Sequence, residues 1–500
     1  MKVLLLSPAS RIMNHYRPPL ALMYLSGYLK KNGIDTKIID ITLKNQVRDK
    51  EFYKNKDGYL LNGENEIVRQ VKSIDTDIVG ITCYTPELLE VDRLASKIKF
   101  SKPNGKIIVG GIHPTLYPND FLGPSSHFDF VVIGEGEVTL LELIKAIRSD
   151  NGYYNKVEGI GYFDNSISKN VITDRRQLVE NIDNIAFPDY EDLDMEFYTT
   201  TSPYAIRGVV SRSFYILSSR GCPSSCTFCV AKKMREYQGI KKTVRLRSPI
   251  SLFNEIQELR DKYKIDSFYF IDDLFPLKKG NVYEFCDLMI KSKSPLIWGC
   301  SSKVNTVDYE TLKAMRDAGC VQIDFGVEKG SDEALRYLKK GITVDQIKKI
   351  FQNCHKLGIR AFANMLVNTP GEKEKDLEDI VDLIHKIKPN IVSFNIFTPY
   401  PGCEIYDLAG DRIKREDYPL LMNDPSMLVS DMPEKFRFAL HSIDFKTWVK
   451  EATKKHNKIL PNLSIYFKSK YIKNIIYSKK KIDYLKQLNA LFREFITQKF

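Results

Sequence analysis

The feature that most constrains this fold is an alternation of short β-rich runs with amphipathic stretches, which the chain carries out twice. In the first series the compact apolar runs are Lys2–Leu6, Thr36–Ile39, Asp77–Ile81, Lys106–Val109 and Phe128–Ile133. Between them, Leu20–Lys31, Glu64–Ser73, Leu88–Lys99 and Val138–Arg148 space their apolar residues at helical intervals. Pro18-Pro19 ahead of the first helix and Gly33 behind it are start and stop signals. Five strands alternating with helices predict an α/β domain over residues 1–150, built on a doubly wound parallel sheet. Ligands on such sheets sit at the carboxyl ends of the strands. That edge collects Ser7-Pro8, Thr82-Cys83-Tyr84, Gly110-Gly111-Ile112-His113-Pro114 and Gly134-Glu135-Gly136-Glu137.

Residues 151–212 read as a connector, with a hairpin of Gly159–Phe163 and Asn170–Thr173 and a loop at Phe187-Pro188-Asp189-Tyr190. A second series follows over 213–410, with strands at Phe214–Ser219, Ser267–Ile271, Leu296–Cys300, Val321–Phe325, Arg360–Leu366 and Ile391–Phe397. Six strand–helix repeats are fewer than a closed eightfold barrel needs, so the expectation is a partial (β/α)6 barrel of TIM type. Residues 411–500 are expected to be a mainly helical, basic extension.

Composition narrows the classes. Of 500 residues, 43% are hydrophobic and 28% charged, which excludes disorder and coiled coil as the main character. No apolar run approaches the ~20 residues that span a bilayer, and MKVLLLSPAS turns charged too soon for a signal peptide. Nine cysteines are too few and too uneven for a secreted disulfide scaffold, so a cytoplasmic chain with reduced thiols is expected. The net charge of +12 is local: Lys446–Phe500 holds 14 Lys and Arg against Glu451, Asp483 and Glu494. Lys468, Lys470, Lys473, Lys479, Lys480 and Lys481 interleave there with Tyr466, Phe467, Tyr471 and Tyr477. Such a tail is either a solvated helical face or a docking surface for an anionic substrate, partner or membrane. No base-reading motif accompanies it, so nucleic acid is not expected.

The sharpest motif is Arg220-Gly221-Cys222-Pro223-Ser224-Ser225-Cys226-Thr227-Phe228-Cys229, a CxxxCxxC just after a strand. Three thiolates on one tight loop can converge on a metal centre, and sulfur selects zinc or an iron–sulfur cluster. Structural zinc wants a fourth Cys or His nearby. The next cysteine, Cys286, lies 57 residues on inside a helical pattern.

This motif, at the first strand of a parallel barrel, resembles that of the radical S-adenosylmethionine (SAM) enzymes. The resemblance implies that Cys222, Cys226 and Cys229 hold a [4Fe-4S] cluster whose open iron chelates S-adenosyl-L-methionine for reductive cleavage to a 5′-deoxyadenosyl radical. It puts Phe228 against the adenine, Asp272 of Phe270-Ile271-Asp272-Asp273 on the cofactor's ammonium, and Glu328 of Gly326-Val327-Glu328-Lys329-Gly330 on the ribose. Asp273 fits a helix N-cap. Lys303 stands where relatives often carry Arg, Lys329 where they carry Ser, and Cys403 where Thr usually follows Thr398-Pro399-Tyr400-Pro401-Gly402. A thiol at 403 is either a hydrogen-atom donor or a buried small residue. Lys340-Gly341 and Asn368-Thr369-Pro370-Gly371-Glu372 match further segments.

The first domain resembles the Rossmann-like cobalamin-binding domain attached to one branch of that superfamily. The resemblance implies that cobalamin contacts Ser7, Pro8, Thr82, Gly110, Gly111, His113, Gly134, Glu135, Gly136 and Glu137, with glycine letting backbone approach the nucleotide tail. The loop Arg11-Ile12-Met13-Asn14-His15-Tyr16-Arg17 lacks the Asp and Gly of the D-x-H-x-x-G axial motif. Cobalamin without a protein imidazole on cobalt is therefore expected, His15 being a loop residue and His113 a tail contact or a structural histidine. The implied activity is cobalamin-dependent methyl transfer to an unactivated carbon or phosphorus. The alternative is radical cyclisation resembling the anaerobic porphyrin-ring cyclase. The expected partners are a small-molecule or lipid substrate and a reductant such as flavodoxin or ferredoxin.

Overall fold

A computed structural model describes residues 2–8, 17–40, 56–149, 153–202, 205–239, 244–409, 413–421, 434–439, 445–453, 482 and 484–489. Strands β1 (Val3–Leu6), β2 (Thr36–Ile39), β3 (Ile78–Thr82), β4 (Lys106–Gly110) and β5 (Phe130–Val132) form a parallel sheet in the order β2-β1-β3-β4-β5. Side chains alternate across a strand, and β1 shows the consequence. Val3 and Leu5 pack with Leu22, Met23, Leu140 and Ile144, from helices Leu20–Lys31 and Gly136–Ser149. Leu4 and Leu6 pack with Ile67, Val71, Val91 and Leu94, from helices Lys56–Ser73 and Leu88–Ser101 on the other face. Two apolar layers on one strand require helices on both faces, as the pattern indicated.

The hairpin expected in the connector does something more. Its strands β6 (Ile160–Asp164) and β7 (Lys169–Ile172) extend the same sheet, β6 antiparallel to β5 with Phe130 opposite Tyr162.

The second sheet runs from β8 (Thr201–Ser202) and β9 (Ser211–Ile216) to β12 (Ser267–Phe270), β13 (Ile297–Ser302), β14 (Cys320–Glu328), β15 (Arg360–Val367) and β16 (Ile391–Ile396). Its six strands from β9 onward are parallel, and β8 closes one edge antiparallel. Between β9 and β12 sits a two-stranded ribbon, β10 (Ser219–Arg220) and β11 (Arg245–Leu246). Phe214, Phe268, Trp298 and Ile323 face the helical layer. The opposite face is mixed: Tyr215, Tyr269, Ile297 and Val321 pack under Ala205, Ile206 and Val209, while the Tyr269 hydroxyl donates to Asp324 at 3.0 Å, Gln322 donates to Asp324 at 3.0 Å, and Arg207 donates to Ser393 Oγ at 2.8 Å. The first strand begins three residues earlier than its apolar pattern indicates. Ser211 and Ser213 are buried through hydroxyl bonds to Ser267 at 2.9 and 2.6 Å, so small polar residues occupy strand positions.

The helices carry their own punctuation. Val344–Leu357 starts on a Thr343 capping box, buries Ile347, Ile350, Phe351, Cys354 and Leu357 at helical spacing, and ends on left-handed Gly358 with φ +67°. After the barrel, Asn368 receives the backbone N–H of Phe438 at 3.0 Å and donates to the Phe436 carbonyl at 2.9 Å, which fastens the extension to β15. Arg415 reaches the Asp120 carbonyl at 3.2 Å, and Trp448 lies 5.0 Å from Phe394, centroid to centroid. Lys468, Lys470, Lys473, Lys479, Lys480 and Lys481 of the basic tail, with Tyr466, Phe467, Tyr471 and Tyr477, lie outside the described residues, as does His15. No helix among the described residues is long and apolar enough to cross a membrane.

Candidate active site

Gly221, with φ +93°, turns the chain out of β10 into the cysteine loop, a backbone angle that favours glycine. Seven contacts then pin that loop. Arg235, from the helix that follows, donates to the carbonyls of Cys222 and of Ser224, the latter at 2.7 Å, and to Ser225 Oγ at 3.0 Å. Thr227 donates its N–H to the Leu338 carbonyl at 3.1 Å and accepts from the Ile405 N–H at 3.0 Å. The Cys229 N–H closes a turn on the Cys226 carbonyl at 3.2 Å, and the Ala231 N–H points at Cys229 Sγ from 3.5 Å. Phe228 packs against Leu338, Leu366, Phe397 and Ile405, with the Lys340 ammonium 5.8 Å above its ring.

All nine cysteines are free thiols. Burial raises Cys226 and pushes Cys229 up to about 11, and the charges of the neighbouring loop cysteines add to both shifts. Lys340 and Lys303 oppose the Cys226 shift. Lys303 Nζ stands 3.3 Å from Ser224 Oγ, so two ammonium groups face the thiols. Among the described residues no three Cys, His, Asp or Glu side chains, the loop thiols included, stand at single-ion spacing. Three soft donors spread along one loop, where each can bind a different iron, fit a cubane better than a closed zinc site.

The acidic groups are arranged differently from expectation. Asp272 was expected to face the cofactor's ammonium. Its carboxylate instead accepts the Ser218 N–H at 2.9 and 3.1 Å, Ser218 Oγ at 2.9 Å and Ser219 Oγ at 2.5 Å. Three of those bonds fall on Oδ1 and tie β12 to the β9–β10 turn; burial pushes the group up to about 6 even so. Its neighbour Asp273 is exposed, and its charge raises Cys229. Glu328 sits at a bulge of β14 with φ +68° and takes the Lys340 ammonium at 2.8 Å. Cys403 is 1% exposed, its thiol pushed up to about 11 by burial. It therefore lies sealed in packing rather than open at the barrel mouth. Cys403→Ser is expected to leave iron content and SAM cleavage unchanged and to lower stability by about 1–3 kcal/mol, read from denaturant unfolding.

At the carboxyl edge of the first sheet, Ser7, Pro8, Thr82, Gly110, Gly111 and Gly134 share one side. Gly134 has φ +83° and borders an open cleft lined by Glu135, Thr173, Tyr237 and Gln238. Bare backbone there fits the close approach of a nucleotide tail. Gly111 serves packing: a Cβ on it would stand 2.7 Å from the Cys83 carbonyl oxygen. Gly136 likewise lets its helix approach Leu25, 3.0 Å from a would-be Cβ.

Three residues expected on cobalamin are committed elsewhere. His113 is fully buried, with Nδ1 3.0 Å from Thr85 Oγ1 and Nε2 3.0 Å from Asp120 Oδ2. Both ring nitrogens are used, and Tyr117, Phe121 and Tyr418 surround the ring, so it is a structural histidine. Glu137 pairs with Arg220 at 2.6 Å, and Glu135 pairs with Arg220 at 3.1 Å and with Arg245. Burial alone would raise Glu137, but Arg220 holds it below the usual carboxylate range. Sequence reasoning did not single out Arg220, Arg235 or Arg245. The one available signal was an arginine directly before Gly221-Cys222.

The comparisons agree with this two-part site. The family model of the Radical SAM superfamily matches residues 216–384, and that of the B12 binding domain matches 14–144. An uncharacterized methyltransferase of Pyrococcus horikoshii is 30% identical over 416 residues, 82% of this chain and 83% of that protein. The chain belongs to the cobalamin-dependent radical SAM enzymes. Its cofactors are a [4Fe-4S] cluster, SAM and cobalamin. The anaerobic magnesium-protoporphyrin IX monomethyl ester cyclase of Rubrivivax gelatinosus is 27% identical over 80% of the enzyme and 68% of the cyclase. In fold, the enzyme is similar to the radical SAM methyltransferase TsrM of Kitasatospora setae with cobalamin and [4Fe-4S] cluster bound. That likeness has a TM-score of 0.61 and 17% identity over 87% of this chain and 81% of the other.

Proposed function

We propose that the enzyme transfers a methyl group to an unactivated carbon or phosphorus centre of a small molecule. The observation that carries this reading is 30% identity over 82% of the chain to an uncharacterized methyltransferase of Pyrococcus horikoshii, against 26–27% to the porphyrin-ring cyclases. When bound, the cluster supplies the electron that cleaves SAM and cobalamin supplies the methyl group.

The chain's own residues prepare the site for both. Cys222, Cys226 and Cys229 would hold the cluster on the loop that Arg235 fixes. Phe228 and Glu328 would face the adenosine, the latter through the carboxylate oxygen that Lys340 leaves open. Asp273 is the better placed carboxylate for the ammonium, since three serine bonds already fall on Asp272 Oδ1. Lys303 and Lys340 keep positive charge beside the thiols, which favours the thiolate form that metal binding requires. The edge containing Ser7, Pro8, Thr82, Gly110, Gly111 and Gly134 would take cobalamin. The polar part of the barrel face, around Tyr269, Asp324 and Arg207, suits a small polar substrate better than a purely apolar one. A flavodoxin or ferredoxin would deliver the electron.

Electron paramagnetic resonance of the cob(II)alamin form is expected to show no protein-imidazole superhyperfine splitting; splitting that disappears in His15→Ala would overturn that expectation. A product assay tests the function itself. Methylated product accompanied by S-adenosylhomocysteine supports methyl transfer, and ring formation without it supports cyclisation.

A further inference from the structure

We infer that Arg220 is a positioning residue that locks the amino-terminal domain onto the cluster loop and thereby sets the spacing between cobalamin and cluster. Only Gly221 separates Arg220 from Cys222. The guanidinium forks onto two carboxylates where one loop runs into its helix, Nη2 on Glu137 at 2.6 Å and Nη1 on Glu135 at 3.1 Å. That loop follows β5 at the carboxyl edge of the first sheet, the side where this enzyme's ligand is expected. Arg245 stands opposite Arg220 in the ribbon register and grips Glu135 as well, its Nη1 at 3.1 Å. The Arg220 guanidinium also lies 5.3 Å from the ring centre of Tyr24, on the helix that leads out of the β1 loop. Two neighbouring arginines of the barrel therefore hold the β5 loop, the start of the helix that follows it, and the first helix of the other domain.

The burial of this latch indicates its role. The Arg220 side chain is 14% exposed and that of Glu137 is 6% exposed. Desolvated ion pairs add little net stability compared with apolar packing, but they specify geometry. A planar fork on two carboxylates fixes orientation as well as distance, which the point charge of a lysine cannot do. Because the latch is anchored two residues from a cluster cysteine, any tilt of the amino-terminal domain is transmitted to the cluster loop. The inference holds whether the final step is methyl transfer or cyclisation.

The test uses the full chain loaded with cob(II)alamin and the reduced cluster. Spin–spin coupling between the two paramagnets, measured by electron paramagnetic resonance, reports their separation. Wild type is expected to give one defined coupling. Arg220→Gln and Glu137→Gln are each expected to weaken or broaden it while iron and cobalamin contents stay within about 10–20% of wild type. The double variant should change it no further than Arg220→Gln alone, because both remove one shared interaction. Arg220→Lys should fail to restore the wild-type coupling. If Arg220→Gln does not fold, Glu137→Gln and Glu135→Gln carry the same comparison. Variants that lose thermal stability yet keep the wild-type coupling would show a structural strap only and overturn the inference.

Discussion

Replacing Cys222, Cys226 and Cys229 together with alanine is expected to remove the cluster, about four irons per chain, and to reduce SAM cleavage to background. The expectation rests on three thiols held on one loop by Arg235, Leu338 and Ile405, with Lys303 and Lys340 facing them. Cobalamin binding at the other domain should survive, because its edge is built from β1, β3, β4 and β5. Iron analysis, the visible spectrum of the reconstituted protein and 5′-deoxyadenosine formation read the three parts separately. A triple variant that still assembles a four-iron cluster would mean that other residues ligate it.

The second large effect concerns Lys329, in the Gly326–Gly330 segment that ends β14. Its ammonium is 2.7 Å from Glu372 Oε2, with side chains 2% and 0% exposed. Glu372 also accepts the Thr369 N–H at 2.7 Å and Oγ1 at 3.0 Å, so the pair joins the end of β14 to the turn after β15. Breaking one side of a buried pair leaves an uncompensated charge, at a cost of about 3–5 kcal/mol. Lys329→Met is expected to destabilise by that amount in urea unfolding, and Lys329→Met with Glu372→Gln to recover most of it. A single-variant loss below about 1 kcal/mol would show that the pair behaves like a solvated one.

Periodicity made the architecture legible. Val3 to Leu6 alternate between two helical layers, and the six barrel strands fall near their expected positions. What stayed hidden depends on distance along the chain. Glu135 and Glu137 read as a cofactor loop because nothing local reveals partners 83 to 110 residues downstream. His113 read either as a tail contact or as a structural histidine, because Thr85 reaches it only once β3 and β4 pair. The difference between Asp272 and Asp273 is one residue of strand phase, and the serines that bond Asp272 come from a turn more than 50 residues upstream. The antiparallel addition of β6 to β5 likewise needs a pairing that the turn residues alone do not indicate. The cysteine loop needed none of this, since spacing within eight residues brings its ligands together.

The proposed methyl transfer requires SAM both at the cluster and as the methyl source for cobalamin. The most direct measurement needs no substrate: the fully loaded enzyme is incubated anaerobically with reductant and SAM bearing a deuterated methyl group. Mass spectrometry of the extracted corrinoid is predicted to show the label transferred to cobalamin, with one S-adenosylhomocysteine formed per methyl group. Unlabelled cobalamin alongside ongoing 5′-deoxyadenosine production would contradict the methyltransferase account.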